Sequence, residues 1–453
     1  MLIRDHLKNM QSLRGVANRL QRALFVSVGE GQPLFVPDDP DQYVKDAFQF
    51  NPDVYSVVML IARSAAAVPW VVYEVKDQKA LKRYKRLPSE AKQHNLARVI
   101  ASKAKALEEV ESDNDLSRLL ERPNPYQGGH EFRENLFGFK LITGNSYIHG
   151  VKYDMGRLSG KIGEMWVMPS QLTEIVASND PEHIIRGYKL NWYGVARELE
   201  IPADEVLHMK YFNPNYDVAG SHLYGQSPLM AARRVVTRSN EAYTANAKML
   251  KSMQPPGILM FDDESVEGFG DDQASMLERK YVDKTGSQNA GKMLVTTAKF
   301  KYQQLGLSPV DLNIIESQKM DLRDICNVYG ISSELLNDPD NKTNSNKAES
   351  RKALYYERII PELDSYRDEL NRWLVPAYGS NYYIDYDLSA IPALQDDMEK
   401  VTKQLSDAWW ITGNEKRAVQ GYDHDPLLER YFIPSSLIPL DSDMFIDNPD
   451  NEL

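Results

Sequence analysis

The sequence contains almost no cysteine. Cys326 is the only one among 453 residues, which rules out an internal disulfide and any Cys-x-x-Cys zinc or redox motif. Such a chain fits a reducing cytoplasm. Because Cys326 lies within an apolar helical pattern, we interpret it as a buried packing residue.

Long apolar runs are also missing. No stretch reaches 18 apolar residues, and the nearest, residues 54–75, is interrupted by Arg63, Ser64 and Pro69. A membrane span is therefore not expected. The opening sequence MLIRDHLKNMQSLRG lacks the continuous apolar core of a secretory signal.

No catalytic or nucleotide-binding motif is recognisable. The phosphate-binding patterns GxxxxGK followed by Ser or Thr and GxGxxG do not occur, nor do HExxH and GxSxG. Adjacent carboxylates would suit a metal-dependent nuclease or phosphoesterase, but their polar surroundings favour solvated surfaces. These carboxylates are Asp262, Asp263, Glu264, Asp271, Asp272, Asp396 and Asp397. We predict no enzymatic activity and no cofactor.

Positive charge is in deficit. Lys and Arg number 53 against 65 Asp and Glu, which gives a formal net charge of −12. This balance argues against a protein that coats nucleic acid with a uniformly basic face. It does not exclude one that holds DNA loosely inside an acidic ring, where repulsion would prevent adhesion.

Hydrophobic periodicity predicts a mixed α+β chain. Residues 51–68 are expected to form a buried helix capped by Asn51, and residues 70–75 a strand. Alternating short runs within residues 162–211 predict an antiparallel sheet. Further helices are predicted at residues 227–252, 308–330, 348–376 and 391–410. We expect the third of these to kink at Pro361.

Residues 76–105 are strongly basic. They contain ten Lys and Arg against Asp77 and Glu90, and an acidic stretch at 108–115 follows at once. We favour a solvated helical excursion whose opposite charges support each other. The alternative is a docking surface for an acidic partner.

Several segments form a recognisable series when taken in order. They are NPDVYSVVMLIARSAAAVPWVVYE (51–74), LLERPNP (119–125), FGFKLITGNSYIHG (137–150), PADEVLHMKYF (202–212), LYGQSPLMAA (223–232), PPGILMF (255–261), YQQLGLSPVDLNIIESQKMDLRDICNVYGISSELL (302–336), IIPELDSYRDELNRWL (359–374) and ITGNEKRAVQGYDH (411–424). LYGQSPL followed by LGLSPVDL is the most specific pairing. Over about residues 50–425 the series resembles the tailed-bacteriophage portal proteins, the head-to-tail connectors of long-tailed phages and related prophages.

The resemblance implies a ring of identical subunits, as a rule twelve, at one vertex of a capsid, with DNA entering and leaving through its central channel. It also implies an α+β portal fold with an α/β wing, long stem helices, a small α/β clip and a helical crown. The corresponding parts are the N-terminal region and wing (1–225), stem helices (226–252 and 308–330), clip (253–307), tunnel loop (331–348), long wing helix and strand (349–388), crown (389–430) and an acidic, disordered tail (431–453).

The polar loop at 331–348 lies where the family places its channel-lining loop. Its candidate contacts to DNA phosphates are Asn341, Lys342, Asn344, Asn346 and Lys347. So few cations predict weak, non-specific contact, which suits a sliding duplex. An ordinary connector loop is the alternative.

The resemblance also implies the partners and the location. The partners would be the major capsid and scaffold proteins, a terminase whose ATPase drives DNA inward, a head-tail adaptor and double-stranded DNA, with no membrane. The protein would be assembled in the cytoplasm of a bacterial host and reside at the capsid vertex of the virion. The basic residues 76–105 would project from the wing toward capsid or scaffold. Two other functions stay open: a metal-dependent nuclease or phosphoesterase that uses the Asp pairs, and a non-viral scaffold protein without a closed ring.

Overall fold

The computed structural model describes residues 43–87, 96–110, 114–177, 184–191, 199–215, 221–252, 257–261, 275, 300–304, 314–336, 338, 344–388, 390–394, 399, 402–403, 405–408, 410–419, 422 and 425–429. The chain divides into two compact units. Unit 1 comprises residues 1–58 and 226–329, and unit 2 comprises residues 59–225 and 330–453. Helices and small sheets occur together, which confirms the predicted α+β class.

Ten α-helices are defined among the described residues. They are α1 (Pro52–Ala66), α2 (Gln78–Lys85), α3 (Leu96–Ala106), α4 (Asp115–Glu121), α5 (Gly129–Thr143), α6 (Pro228–Ser252), α7 (Ile314–Tyr329), α8 (Asn344–Ala353), α9 (Ile360–Trp373) and α10 (Gly413–Val419). Two π-helical segments cover Tyr43–Gln49 and Leu354–Ile359.

The strands of the described residues form four antiparallel sheets. They are β1 (Trp70–Val75), β2 (Leu107–Glu109), β3 (Asn145–Lys152), β4 (Ile162–Met168), β5 (Thr173–Ala177), β6 (Ile185–Leu190), β7 (Leu199–Pro202), β8 (Val206–Lys210), β9 (Gly257–Phe261), β10 (Phe300–Gln304) and β11 (Tyr382–Tyr386). The strand orders are β11-β1-β2, β4-β3-β8, β5-β6-β7 and β10-β9. The antiparallel strands predicted within residues 162–211 are thus confirmed, but they belong to two sheets rather than one, because β4 and β8 both pair with β3.

Helix α1 begins and ends where its sequence predicts. Asn51 Oδ1 accepts hydrogen bonds from the backbone amides of Asp53 and Val54 at 3.0 and 3.1 Å, which satisfies two otherwise free helix donors. The helix ends at Ala66, because Pro69 disfavours helical backbone in the residue before it. The apolar face is buried, with Val54 fully inaccessible.

Two clusters of buried apolar side chains lie against the sheets of unit 2. The first packs α2 and α3 against sheet β11-β1-β2 and contains Ala80, Leu81, Tyr84, Val99, Ala106, Leu107 and Tyr383. The second joins sheet β4-β3-β8 to sheet β5-β6-β7 and contains Tyr147, Met168, Tyr188, Leu190, Ile201 and Val206. Burial of these side chains holds α2 and α3 on the first sheet and joins the other two sheets to each other.

The long helix around Pro361 contains a π-helical segment. Helices α8 and α9 are joined by Leu354–Ile359, where the amide of Ile360 bonds to the carbonyl of Tyr355, five residues earlier. Pro361 has no amide hydrogen, and its ring would collide with the carbonyl four residues before it in a regular helix. The expected irregularity at Pro361 is therefore a widened turn.

Three predicted boundaries differ from the structure or lie partly outside the described residues. The predicted loop at 331–348 is helical from Asn344 onward, because the Lys, Ala, Glu and Arg residues of α8 favour helix even without an apolar face. Of the predicted helix 391–410, the structure describes a 3-10 turn at Pro392–Leu394 and helical residues at 399, 402–403 and 405–407. Most of residues 253–307 lies outside the described part, which includes only β9, β10 and residue 275 there.

Candidate functional site

The segment predicted to line a channel starts immediately after helix α7. Gly330 has a φ of 68°, the left-handed conformation that commonly follows a helix and favours glycine. Ile331 is buried, and Ser333–Leu336 form a 3-10 turn. The chain is therefore redirected within a few residues of the end of α7.

Two hydrogen bonds close the base of this segment. Ser350 Oγ on α8 donates to Glu334 Oε2 at 2.6 Å, and Ser333 Oγ donates to Asp338 Oδ2 at 2.9 Å. Asp338 is only 2% exposed. Positions 334 and 350 of unit 2 are thus held together by a side-chain hydrogen bond.

The structure describes three of the five residues predicted to contact DNA. Asn341 and Lys342 lie outside the described residues. Asn344 and Asn346 belong to the first turn of α8, and Lys347 follows on the same helix with an exposed side chain. The role of these residues stays a prediction.

Sequence reasoning missed one exposed cation beside them. Arg351 lies four positions after Lys347 on α8, and both are exposed. Residues at i and i+4 share a helix face, so the two cations form a pair that is suited to adjacent phosphates. The spacing of four residues was visible in the sequence. However, the helix that places both residues on one face was predicted to start only at residue 348.

The two long helices predicted as stem elements pack against each other in unit 1. Arg238 Nε on α6 donates to Asp321 Oδ1 on α7 at 2.6 Å, and Asp321 is fully buried. Burial raises the pKa of Asp321 above its ordinary value although Arg238 opposes this. Asn51 Nδ2 also donates to Ser239 Oγ at 3.1 Å. Side-chain hydrogen bonds therefore fix the start of α1 and helix α7 to α6.

Buried hydrogen bonds to Asn145 explain why the segment LYGQSPL contains a glycine at position 225. Asn145 Oδ1 accepts from the amide of Gly225 at 2.6 Å, and Asn145 Nδ2 donates to the Gly225 carbonyl at 3.1 Å. A side chain at Gly225 would collide with backbone atoms of Gly144 and Tyr211. Only glycine fits this approach. The asparagine and the glycine form a clamp just before helix α6, which Ser227 caps with a 3.1 Å bond to the Leu229 amide.

His208 completes the clamp from strand β8. Its Nε2 lies 3.0 Å from Asn145 Oδ1, and its ring stacks on Tyr147 with centroids 4.3 Å apart. An amide oxygen only accepts hydrogen bonds, so Nε2 carries the hydrogen. Burial, with a smaller effect from Lys210, lowers the pKa of His208 to about 3. The imidazole is therefore neutral in the folded protein at neutral pH.

This neutral histidine predicts a loss of stability in acid. The unfolded imidazole takes a proton near pH 6.5, whereas the folded one does not until about pH 3. The free energy of unfolding should therefore fall as the pH drops below 6.5, by about 2 kcal/mol at pH 5 from this group alone. Urea unfolding at pH 7 and pH 5 would measure it, and His208→Gln, which cannot titrate, should lose that part of the difference. An unchanged difference would contradict the assignment.

Comparison with known proteins identifies the family. A sequence model described as phage portal protein matches residues 97–421. An uncharacterised protein of Rickettsia bellii (strain RML369-C) is 30% identical over 383 residues, which cover 83% of this chain and 88% of that protein. The portal protein of Enterobacteria phage HK97 is 21% identical over 275 residues, covering 59% of this chain and 60% of that protein.

The chain belongs to the phage portal protein family. Its fold agrees: a chain from the neck of a native gene transfer agent particle, solved with C12 symmetry, has a TM-score of 0.58 and 25% identity. The match covers 89% of this chain and 99% of that one. The predicted portal-protein fold and family are therefore confirmed.

The described parts of the basic segment of this portal protein, residues 76–87 and 96–105, are packed within unit 2. Lys103 Nζ lies 3.2 Å from Asp385, whose Oδ2 also accepts a 2.6 Å hydrogen bond from Tyr84. Helix α2 precedes the part of the chain that the family model matches. Deletion of 78–106 would remove Tyr84 and Lys103 from this core, so substitution of exposed cations is the cleaner test of a docking role.

The phage portal protein family is generally non-enzymatic. The carboxylate clusters at 262–264, 271–272 and 396–397 all lie outside them. Among the residues that are described, no three or more His, Cys, Asp or Glu side chains group as metal ligands would. The same part of the chain contains no helix long and apolar enough to span a membrane.

Proposed function

We propose that twelve copies of this protein close into a ring at one capsid vertex of a tailed phage, prophage or gene transfer particle. The ring would be the channel for DNA packaging and ejection, and it would be assembled in the cytoplasm of the bacterial host. One observation carries the proposal: the chain aligns over 89% of its length with nearly all of a chain from a particle neck of C12 symmetry. A heterologous interface that closes on itself produces such a ring.

The partners follow from this position in the particle. The capsid and scaffold proteins would surround the ring, and a terminase and later a head-tail adaptor would bind its outer end. The protein itself would have no catalytic activity, since the terminase would supply ATP hydrolysis. Duplex DNA would pass without sequence preference, and the net charge of −12 would limit adhesion to the channel wall.

Native mass spectrometry with negative-stain imaging of one purified sample tests the ring. We expect a closed assembly of twelve subunits with a central hole. If the purified chain is smaller, co-expression with its capsid protein should produce the ring, because some interfaces form only on assembly. A chain that stays monomeric or dimeric in both settings would overturn the proposal.

Removal of the cations at the loop base should weaken DNA binding but not assembly. Lys347→Ala with Arg351→Ala, or Lys347→Ala with Lys342→Ala, removes charges that face phosphates in the proposed channel. Rings should form normally, and the salt dependence of duplex retention should fall by about one unit of slope for each phosphate that is no longer neutralised. Arg122→Ala with Arg186→Ala, two exposed arginines elsewhere, is the control. Failed assembly would make the loop structural.

A further inference from the structure

Helix α2 carries an exposed row of cations. Lys79, Lys82, Arg83 and Arg86 follow the i, i+3, i+4, i+7 spacing of one helix face, and we call them the basic stripe. All four are exposed, whereas Ala80, Leu81 and Tyr84 on the opposite face are buried. The stripe is about 10 Å long at the helical rise per residue.

The stripe has no compensating charge within the described residues. None of its four side chains forms an ion pair there, although Lys76 pairs with Glu108 and Lys103 with Asp385 nearby. Like charges at i+3 and i+4 destabilise a helix. An anionic partner on this face would remove that repulsion.

The chain itself contains a segment of the opposite charge. Residues 441–453, DSDMFIDNPDNEL, have no Lys or Arg, and their five carboxylates are Asp441, Asp443, Asp447, Asp450 and Glu452. With arginine forks and lysine ammonium groups on one side and closely spaced carboxylates on the other, the two sequences are complementary.

The described chain ends near the helix that packs on the buried face of α2. Helix α10 packs against α3, and α3 packs against α2. Residues 425–428 are fastened to α10: the Asn414 side chain exchanges hydrogen bonds of 2.7 and 2.9 Å with the Asp425 backbone, and Leu428 covers Gly413. The last described residue, Glu429, therefore lies close to α10, and only α3 stands between α10 and α2.

The distance is within reach of the intervening residues. Packed helices lie about 8–10 Å apart, so the step from α10 across α3 to α2 is about 20 Å, and reaching the far face of α2 adds about 10 Å, one helix diameter. The twelve residues from Glu429 to Asp441 span up to about 40 Å when extended. Tethering also gives the segment a high effective concentration at the stripe, so weak individual ion pairs suffice.

We propose that residues 441–453 bind the basic stripe of their own chain. The bound segment neutralises α2 and covers it against other anions.

Carbodiimide crosslinking of the full-length protein, read by mass spectrometry, tests this proposal. The reagent joins a carboxylate to a lysine amine only when the two are in contact. We expect crosslinks from residues 441–453 to Lys79 and Lys82 at 50 mM salt and a strong decrease at 500 mM, since exposed ion pairs are screened. Exposed Lys347 and Lys105 serve as internal references and should react much less.

Arginine variants change the attraction between the segment and the stripe without changing the groups that the reagent joins. Arg83→Gln with Arg86→Gln leaves every crosslinkable amine and carboxylate in place, so a roughly threefold lower yield at Lys79 and Lys82 would report weaker attraction. Arg122→Gln with Arg186→Gln makes the same change in net charge elsewhere and should leave the yield unchanged. Equal yields in both variants, or an even spread over all exposed lysines, would overturn the proposal.

Mixing chains of normal and heavy isotope composition identifies whose segment is bound. Crosslinks within one isotope form support the proposal, and crosslinks only between forms would assign the stripe to a neighbouring copy and overturn it. A further result would also overturn the proposal: no crosslinks form, and a short DNA duplex protects Lys79 and Lys82 from chemical acetylation. The stripe would then bind nucleic acid.

Discussion

Replacing Asp385 with asparagine is expected to lower the free energy of unfolding by about 3–5 kcal/mol, the usual cost of removing one partner from a buried ion pair. Asp385 is fully buried. Its carboxylate lies 3.2 Å from Lys103 Nζ and 3.8 Å from Arg367 Nη1. Asparagine keeps the shape of the side chain but removes its charge, so both cations would lose their buried counter-ion.

The pKa of Lys103 shows how strongly this carboxylate acts. Burial by itself lowers the pKa of the ammonium, yet the Asp385 charge raises it above its ordinary value overall. Tyr84, which donates a 2.6 Å hydrogen bond to Asp385 Oδ2, also belongs to the apolar cluster of α2 and α3. The substitution should therefore loosen α2 and α3 before the rest of unit 2.

Denaturant unfolding followed by circular dichroism measures the effect, and hydrogen exchange locates it. Asp368→Asn is the matched control, since Asp368 also bonds Arg367, at 2.9 Å, but is 67% exposed. An exposed pair contributes about 1 kcal/mol or less. If the two variants lose equal stability, the buried network is not what holds the basic helices.

Gly225→Ala is expected to cost about 3 kcal/mol, at the upper end for an added methyl group in a packed site. The new Cβ would meet the carbonyl oxygen of Gly144 and the amide nitrogen of Tyr211. Both are backbone atoms, which cannot rotate away as a side chain does. Relief requires the Asn145 clamp to open, which exposes polar groups that were paired with Gly225.

The consequence should extend to the assembly, because the clamp lies three residues before helix α6. We expect fewer complete rings in electron micrographs together with a lower thermal midpoint. Gly138→Ala in α5 is the control: a Cβ there meets nothing within 4 Å, and alanine in a helix is favoured by about 1 kcal/mol. A Gly225 variant as stable as the Gly138 variant would mean that the clamp is not required.

Several elements were predictable because their signals are local. Asn51 with Pro52, and Ser227 with Pro228, cap helices through atoms two or three residues away. The alternating strands within residues 162–211 needed only their own periodicity. The family was predictable from the ordered segments. The start of α8 was misjudged because this mostly polar helix shows no periodic apolar face.

The candidate site was only partly predictable. Lys347 could be named from its polar surroundings, but its pairing with Arg351 required the helix, and the Ser350–Glu334 bond required the fold. Asn145, Gly225 and His208 are distant in sequence and have no shared pattern. Two of them lie in the segments GNSY and LYGQSPL, which helped to identify the family. The sequence alone does not show that the asparagine of one segment binds the glycine of the other.

The amino-acid sequence is enough to predict the α+β class, the helix caps, the strand periodicity, the acidic net charge and the portal family, since each depends on composition, on neighbouring residues or on ordered segments. The tertiary structure decided which charges are buried and what they pair with. Lys140 Nζ and Glu362 Oε2 meet at 2.7 Å across 222 positions, and Tyr84 and Asp385 across 301. A buried charge is stable only beside an opposite one, and only the folded chain decides which residues are adjacent.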